Sequence, residues 1–272
     1  MSMILLQGCT VFKWKDIPRN VSKFYPKMKK RFACILAFWG LTVGVAAQPS
    51  YLLSKKNETR MGLSIASMAL GNLYIGNQLN GYTEAALLAL TTPAVPAYDR
   101  WALQRWDEDA AHRSDYLFYS AAAWSAASVC LPALRDGSFK SSVPAAAMWI
   151  EMNALTWVFT DLTKNLVTRN RPFVYNINAP LEMRIEADAR KSFFSGHTSM
   201  TAANSFYAAK VFTDLYPNSK WKPWVWSAAV VLPAITAQQR MAAGKHFFSD
   251  VLIGYGVGAL IGWGIPQLHL VK

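Results

Sequence analysis

Residues 116–134 (YLFYSAAAWSAASVCLPAL) run nineteen positions without a charged side chain, and residues 251–268 (VLIGYGVGALIGWGIPQL) run eighteen. A helix of about 20 apolar residues covers the hydrocarbon core of a bilayer. Stretches this long and this pure leave two outcomes, a membrane crossing or the buried helix of a soluble bundle. Less pure candidates recur at residues 61–79, 84–97, 143–159 with Glu151 inside, 196–215 with Lys210 and Asp214, and 224–238. Tyr116, Trp221, Trp224 and Trp263 stand near segment ends, as in the aromatic belts at membrane interfaces. The expected fold is all-α, a multi-helix transmembrane bundle with about six core helices. A 53% apolar composition at a mean hydropathy of +0.12 leaves the soluble bundle open.

The basic charge is concentrated at one end. Residues 1–31 hold Lys13, Lys15, Arg19, Lys23, Lys27, Lys29, Lys30 and Arg31 against Asp16 alone, which is +7 of the formal +12. A nucleic-acid partner is therefore not expected, because the excess lies beside an apolar run and not on a folded basic face. From Met28 the sequence has a basic start, an apolar run over residues 32–45 and small residues before Gln48, the layout of a secretory signal peptide; an uncleaved signal anchor fits the same pattern. Residues 1–27 then read as an over-long start or basic extension, residues 28–47 as signal or anchor, and residues 48–272 as one helical domain. Cys9, Cys34 and Cys130 offer no disulfide framework.

Three short blocks carry chemistry: residues 164–172 (KNLVTRNRP), 195–198 (SGHT) and 240–250 (RMAAGKHFFSD). A phosphoryl group in transfer spreads charge over three equatorial oxygens, so its site needs fixed cations, a nucleophile or water, and a proton donor. Lys164, Arg171 and Arg240 supply cations, and His197 and His246 supply the remainder. If the last block enters a helix near His246, Asp250 lies one turn on, within reach of the ring. There it either fixes the tautomer or serves as a helix-stabilising pair. Gly244 suggests a turn that brings Arg240 back toward His246. Pro172 places Arg171 at a helix end or loop start. Ser195 and Gly196 open a helix whose free N–H groups suit an anion. The 22 residues from Phe173 to Phe194 read as a solvated connection or as a substrate-gating lid. Residues 99–115 and 135–140 read as polar connections.

In their order and internal spacing these blocks resemble the tripartite signature of the phosphatidic acid phosphatase type 2 superfamily, K-x6-RP, PSGH and SR-x5-H-x3-D, as found in bacterial membrane phosphatases. Lys164 to Arg171-Pro172, Ser195-Gly196-His197, and Arg240 to His246 to Asp250 match; Phe194 and Gln239 stand where the pattern has proline and serine. The resemblance implies that His246 attacks phosphorus to form a phosphohistidine, oriented by Asp250. It implies that Lys164, Arg171, Arg240, Ser195 and Gly196 hold the phosphoryl oxygens, and that His197 protonates the leaving group and then activates water. No metal or cofactor is expected, since three cations beside the histidines His197 and His246 repel a metal ion. His112 and His269 complete the set of four, and no His-Glu-x-x-His spacing occurs.

The leading expectation is a membrane phosphatase cleaving a lipid phosphate or prenyl diphosphate, with its site at the extracytoplasmic membrane face and the periplasmic side of a bacterial inner membrane as its location. A soluble periplasmic acid phosphatase, a vanadium-dependent haloperoxidase and a non-catalytic phospholipid-binding scaffold are the alternatives. Lys55, Lys56 and Arg60 favour a cytoplasmic flank, whereas cleavage after Ala47 would put that flank outside.

Overall fold

The computed structural model describes residues 51–91 and 95–271. The signal or anchor at residues 28–47 and the basic extension before it lie outside the described residues. Among the described residues six long helices make the bundle: α1 (Lys55–Gly76), α2 (Glu108–Ser128), α3 (Val143–Val167), α4 (Gly196–Leu215), α5 (Lys222–Ala242) and α6 (Phe248–His269). No strand occurs among the described residues beyond an isolated bridge between Tyr51 and Leu270.

Local chemistry sets the helix ends. Asp107 accepts from Ala110 N at 2.9 Å and caps α2. Pro144 and Pro223 sit in the first turns of α3 and α5, where a missing N–H costs no helical bond. α3 stops at Thr168, which takes the left-handed conformation, so the helix never reaches Pro172.

The bundle is arranged around α4, which packs against α2, α3, α5 and α6. Its buried surface is built from small and polar residues, among them Ser199, Ala202, Ala203, Asn204 and Ser205. The closest seam is with α6. Gly254, Gly258 and Gly262 recur every fourth residue, one face of a helix, and meet the backbone carbonyl oxygens of Ser195, Ser199 and Ala203. A side chain at Gly258 or Gly262 would collide with main chain. Polar bonds cross the same core: Asn204 donates to Asn153 Oδ1 at 3.0 Å, and Trp149 donates to Ser125 Oγ at 2.9 Å, linking α2, α3 and α4. A second polar cluster joins Lys210 and Asp214 on α4 to the Tyr51 hydroxyl, which donates to Asp214 at 2.9 Å.

Large apolar side chains point outward on every long helix except α4. Leu70 and Tyr74 on α1, Tyr116 on α2, Trp157 on α3, Trp224 on α5 and Leu260 on α6 are each more than 60% exposed. Glu108–Asp136 and Phe248–His269 are long and apolar enough to cross a membrane, and only 28% and 33% of their most apolar stretches are buried. Helices in the centre of a soluble bundle would be covered by their neighbours.

Two expectations change. Within residues 84–97 the helix Glu84–Leu88 has only five residues, too short to cross a bilayer. Residues 108–115 are not a connection but the first two turns of α2, because Asp107 caps a helix there; Asp99, placed in the same connection, is buried.

The glycine seam gives a direct stability test. Gly258→Leu or Gly262→Leu forces backbone apart and should lower Tm or abolish recovery of folded protein, whereas Gly256→Ala, with open space around its Cα, should change Tm little. A thermal melt of each purified variant checks this.

Candidate active site

All three sequence blocks reach the same end of the bundle. The C-terminal turn of α3 brings Lys164, the first turn of α4 brings His197, and the last turn of α5 brings Arg240. His246 lies in the short link before α6. Backbone bonds stitch the loops together: Phe173 N donates to Gly244 O at 3.0 Å, Ser192 N to Arg169 O at 2.9 Å, and Ser195 N to Asp250 O at 3.1 Å. Gly244 has φ +67° and lies against the backbone of Arg105, with no space for a Cβ. Its turn lets Lys245 N donate back to Arg240 O at 3.1 Å.

The result is a pocket of about 440 Å³ lined by Ala111, Asp115, Lys164, Arg171, Asp188, His197, Arg240, Lys245 and His246. Arg171, at the loop start, donates Nε to Asp188 O at 3.0 Å and Nη2 to Asp188 Oδ1 at 2.9 Å. Arg240 donates to Ser114 Oγ at 3.3 Å, while its buried Nε has no partner. The Lys245 ammonium stands 4.8 Å from the ring centres of both Trp106 and Phe173. Burial of Lys245, reinforced by Arg171 and Arg240, pushes its pKa down to about 8.

His246 is almost wholly buried, and its Nδ1 lies 2.8 Å from the Ser192 carbonyl oxygen. A carbonyl only accepts, so Nδ1 carries the proton and Nε2 keeps its lone pair. Burial first, then Arg171, Arg240 and Lys164, hold the His246 pKa well below the usual histidine range. The ring is neutral across ordinary pH.

Asp250 acts through intermediaries. It lies 3.8 Å from His246 Nδ1, beyond a hydrogen bond. The helix-spacing argument does not apply, because α6 begins at Phe248 and His246 is outside it. Asp250 instead accepts from Phe247 N at 2.9 Å, capping α6, and from Ser192 Oγ at 2.5 Å. Its other oxygen pairs with Arg169, whose second nitrogen reaches Asp99 Oδ2 at 2.9 Å. Asp250 therefore fixes Ser192, and the Ser192 carbonyl orients His246.

Ser195 and Gly196 are not among the residues lining the pocket. Ser195 is fully buried, and its Oγ accepts from Thr198 N at 3.4 Å as the cap of α4. Gly196 faces Lys164: a Cβ there would stand 3.2 Å from Nζ.

Five contributors escaped the sequence reading. Asp115 Oδ1 is 2.8 Å from His197 Nε2; Asp188, Lys245, Arg169 and Ser192 complete the set. Lys245 and Arg169 sit inside the blocks and could have been found as extra cations next to His246 and Arg171. Asp115 and Asp188 lie outside all three blocks and carry no spacing signal. Partial desolvation opposes ionisation of Asp188, but Arg171 and Lys164 outweigh it and hold the carboxyl below its usual range. The two departures find packing roles. Phe194 is buried against Phe159, with ring centres 5.9 Å apart, and Gln239 Oε1 accepts from Arg113 Nε at 2.8 Å.

Residues 145–272 match the PAP2 superfamily. That match supports a phosphatase, a hydrolase of phosphoric esters. The PAP2 segment contains Lys164, Arg171, His197, Arg240, His246 and Asp250, while Asp99 and Asp115 lie upstream of it. The chain is also similar to the crystal structure of the first transmembrane PAP2 type phosphatidylglycerolphosphate phosphatase from Bacillus subtilis, at 18% identity and a TM-score of 0.45, over 75% of this chain and 94% of that one.

The two aspartates should separate by substitution. Asp250→Asn leaves Arg169 facing a neutral, buried partner and should lower both Tm and activity, with breakage of such a pair costing about 3–5 kcal/mol. Asp115, with 42% of its side chain exposed, should lower activity on change to Asn while leaving Tm within about 2 °C. Melts and phosphate release on the same preparations decide it.

Proposed function

We propose that this protein is an integral membrane phosphatase that hydrolyses a lipid phosphate monoester or prenyl diphosphate through a phosphohistidine. The observation that carries the reading is a buried, neutral His246 whose Nε2 lone pair adjoins a pocket holding four cationic side chains and a second histidine.

Chemistry follows in two displacements. A phosphoryl group enters among Lys164, Arg171, Arg240 and Lys245, which neutralise its oxygens. His246 Nε2 attacks phosphorus, the P–O bond to the leaving group breaks, and His197 gives the leaving oxygen its proton. Asp115 Oδ1, 2.8 Å from His197 Nε2, orients that ring and offsets the nearby cations when it carries the proton. Water then attacks the phosphohistidine, His197 takes its proton, and the P–N bond breaks to release phosphate and restore neutral His246. Covalent catalysis thus splits one displacement into two. The cations replace a divalent metal in this step.

The outward apolar girdle supports a bilayer setting, and a pocket at the helix ends takes a head group from the interface while the chains stay in lipid. Glu58, in the first turn of α1, contacts His269 at the end of α6 at 3.0 Å. Lys55, Lys56 and Arg60 therefore flank the end of the bundle opposite the pocket, since α6 starts at one end and finishes at the other. By the positive-inside tendency that flank faces the cytoplasm and the pocket faces the periplasm. A signal cleaved after Ala47 would reverse this arrangement.

Phosphate release from long-chain lipid phosphates and from short soluble esters in matched micelles tests the substrate class. Long chains should be preferred strongly in kcat/KM, because each buried CH2 contributes about 0.8 kcal/mol. His246→Ala should reduce turnover at least about 1,000-fold and yield no acid-labile phosphoenzyme, whereas His197→Ala should still accumulate one from a good leaving group. Equal, mild losses in both variants would overturn the assignment.

The pH profile tests the pocket charges. Lys245 is charged below about pH 8 and neutral above it, so phosphate binding weakens as pH rises through that value and KM should climb. Lys245→Arg should move this alkaline limb to higher pH, and Lys245→Met should raise KM at pH 7. The acid limb should not report His246, which is already neutral there.

A further inference from the structure

Across the bundle from the catalytic pocket, three side chains from three helices converge: Glu58 on α1, Glu151 on α3 and His269 on α6. One ligand-type atom from each lies within 4.8 Å of the others. His269 Nε2 is 3.0 Å from Glu58 Oε1 and 3.5 Å from Glu151 Oε2. The other ring nitrogen is committed, since Nδ1 lies 2.8 Å from the Ile265 carbonyl oxygen and must donate to it. Its Nε2 therefore faces the two carboxyl groups. The His269 side chain is only 6% exposed. Glu151 Oε2 is buried without a hydrogen-bond partner. The three groups face one point.

We propose that Glu58, Glu151 and His269 form a binding site for a divalent ion such as zinc or manganese, separate from the phosphatase pocket and structural in role. A tetrahedral ion about 2.1 Å from each ligand sets those ligands about 3.4 Å apart. The separations of 3.0 and 3.5 Å lie on either side of that value. The Nδ1 contact to Ile265 is the outer bond that fixes the tautomer of a ligating imidazole, and one nitrogen with two carboxylate oxygens suits zinc or manganese over softer ions. An entry path exists: a cavity of about 320 Å³ beside His269 is lined by Asn57, Arg60, Met61, Ser64 and Leu268. It has room for water as a fourth ligand, and Arg60 on it is exposed and solvated. The ion would tie α1, α3 and α6 together. It would also hold the segment at residue 51 in place, where Leu52 N donates to His269 O at 2.9 Å.

The test uses the full chain in detergent, stripped with EDTA, dialysed, and titrated separately with Zn2+ and Mn2+ by calorimetry and thermal melting, with Co2+ as a spectroscopic probe. One ion per chain should bind, and at about 100 times Kd the Tm should rise by about 5 °C or more. Co2+ should give the intense visible bands of a four-coordinate site. Glu151→Gln and His269→Gln should weaken binding at least about 100-fold, while His246→Ala should bind as the native protein does. Absence of stoichiometric binding by the native protein means that protons alone fill the cluster, and it overturns the proposal without any variant. Binding that survives Glu151→Gln and His269→Gln but is lost in His246→Ala overturns it as well.

Discussion

The buried carboxylate of Asp250 is the interaction on which the catalytic end depends. A charge removed from water must be matched by a cation and by hydrogen bonds, or its desolvation exceeds what folding supplies. Asp250 meets that demand with Arg169, Ser192 Oγ and the Phe247 N–H. Each partner belongs to a different piece of chain: the loop after α3, the segment before α4 and the start of α6. One charge therefore fixes three loops relative to each other, and the ring of His246 follows because the Ser192 carbonyl holds it. Asp99 extends the network to the upstream part of the chain by accepting from Arg169, Ser249 N and Ser249 Oγ.

Below that end, the bundle supplies rigidity by close approach of backbones. The α4–α6 seam relies on glycine because carbonyl oxygens of α4 occupy the space a side chain would need. Such packing suits a lipid setting, where apolar contact with lipid is as favourable as contact with another helix and only close fit or polar bonds hold helices together. The Asn204, Ser125, Trp149 and Asn153 bonds in the core have the same logic. Leaving these groups unpaired in an apolar interior would cost more than the bonds contribute in water.

What the sequence disclosed, and what it withheld, divides along locality. Long apolar runs and the three blocks were readable because each is local: a helix is set by its own residues, and the spacing of Lys164 with Arg171 or Arg240 with His246 lies within a few turns. The partners Asp115 and Asp188 were not readable. They reach the pocket only through the packing of α2 and of the turn after residue 186, and a lone aspartate carries no mark of that. The expected direct contact of Asp250 with His246 failed for a related reason. It assumed that both residues share one helix, but Asp250 caps α6 and so starts the helix after His246. Ser195, a phosphate ligand by the resemblance, has its hydroxyl at the cap of α4.

Charge balance explains why the pocket contains carboxylates at all. Lys164, Arg171, Arg240 and Lys245 in one partly buried space repel each other, and the low dielectric strengthens that repulsion. Asp188 relieves it at Arg171 by taking a nitrogen of the guanidinium fork that a phosphoryl oxygen would use. Asp115 does so from the side of His197. With 60% of its side chain exposed, Asp188 loses little by returning to solvent. On the proposed function, an incoming phosphoryl dianion would bring more charge to the same fork, so binding would exchange a carboxylate for a better-matched anion and not create an ion pair from free charges. On the proposed function, the stretch between α3 and α4 that carries Asp188 would take part in that exchange.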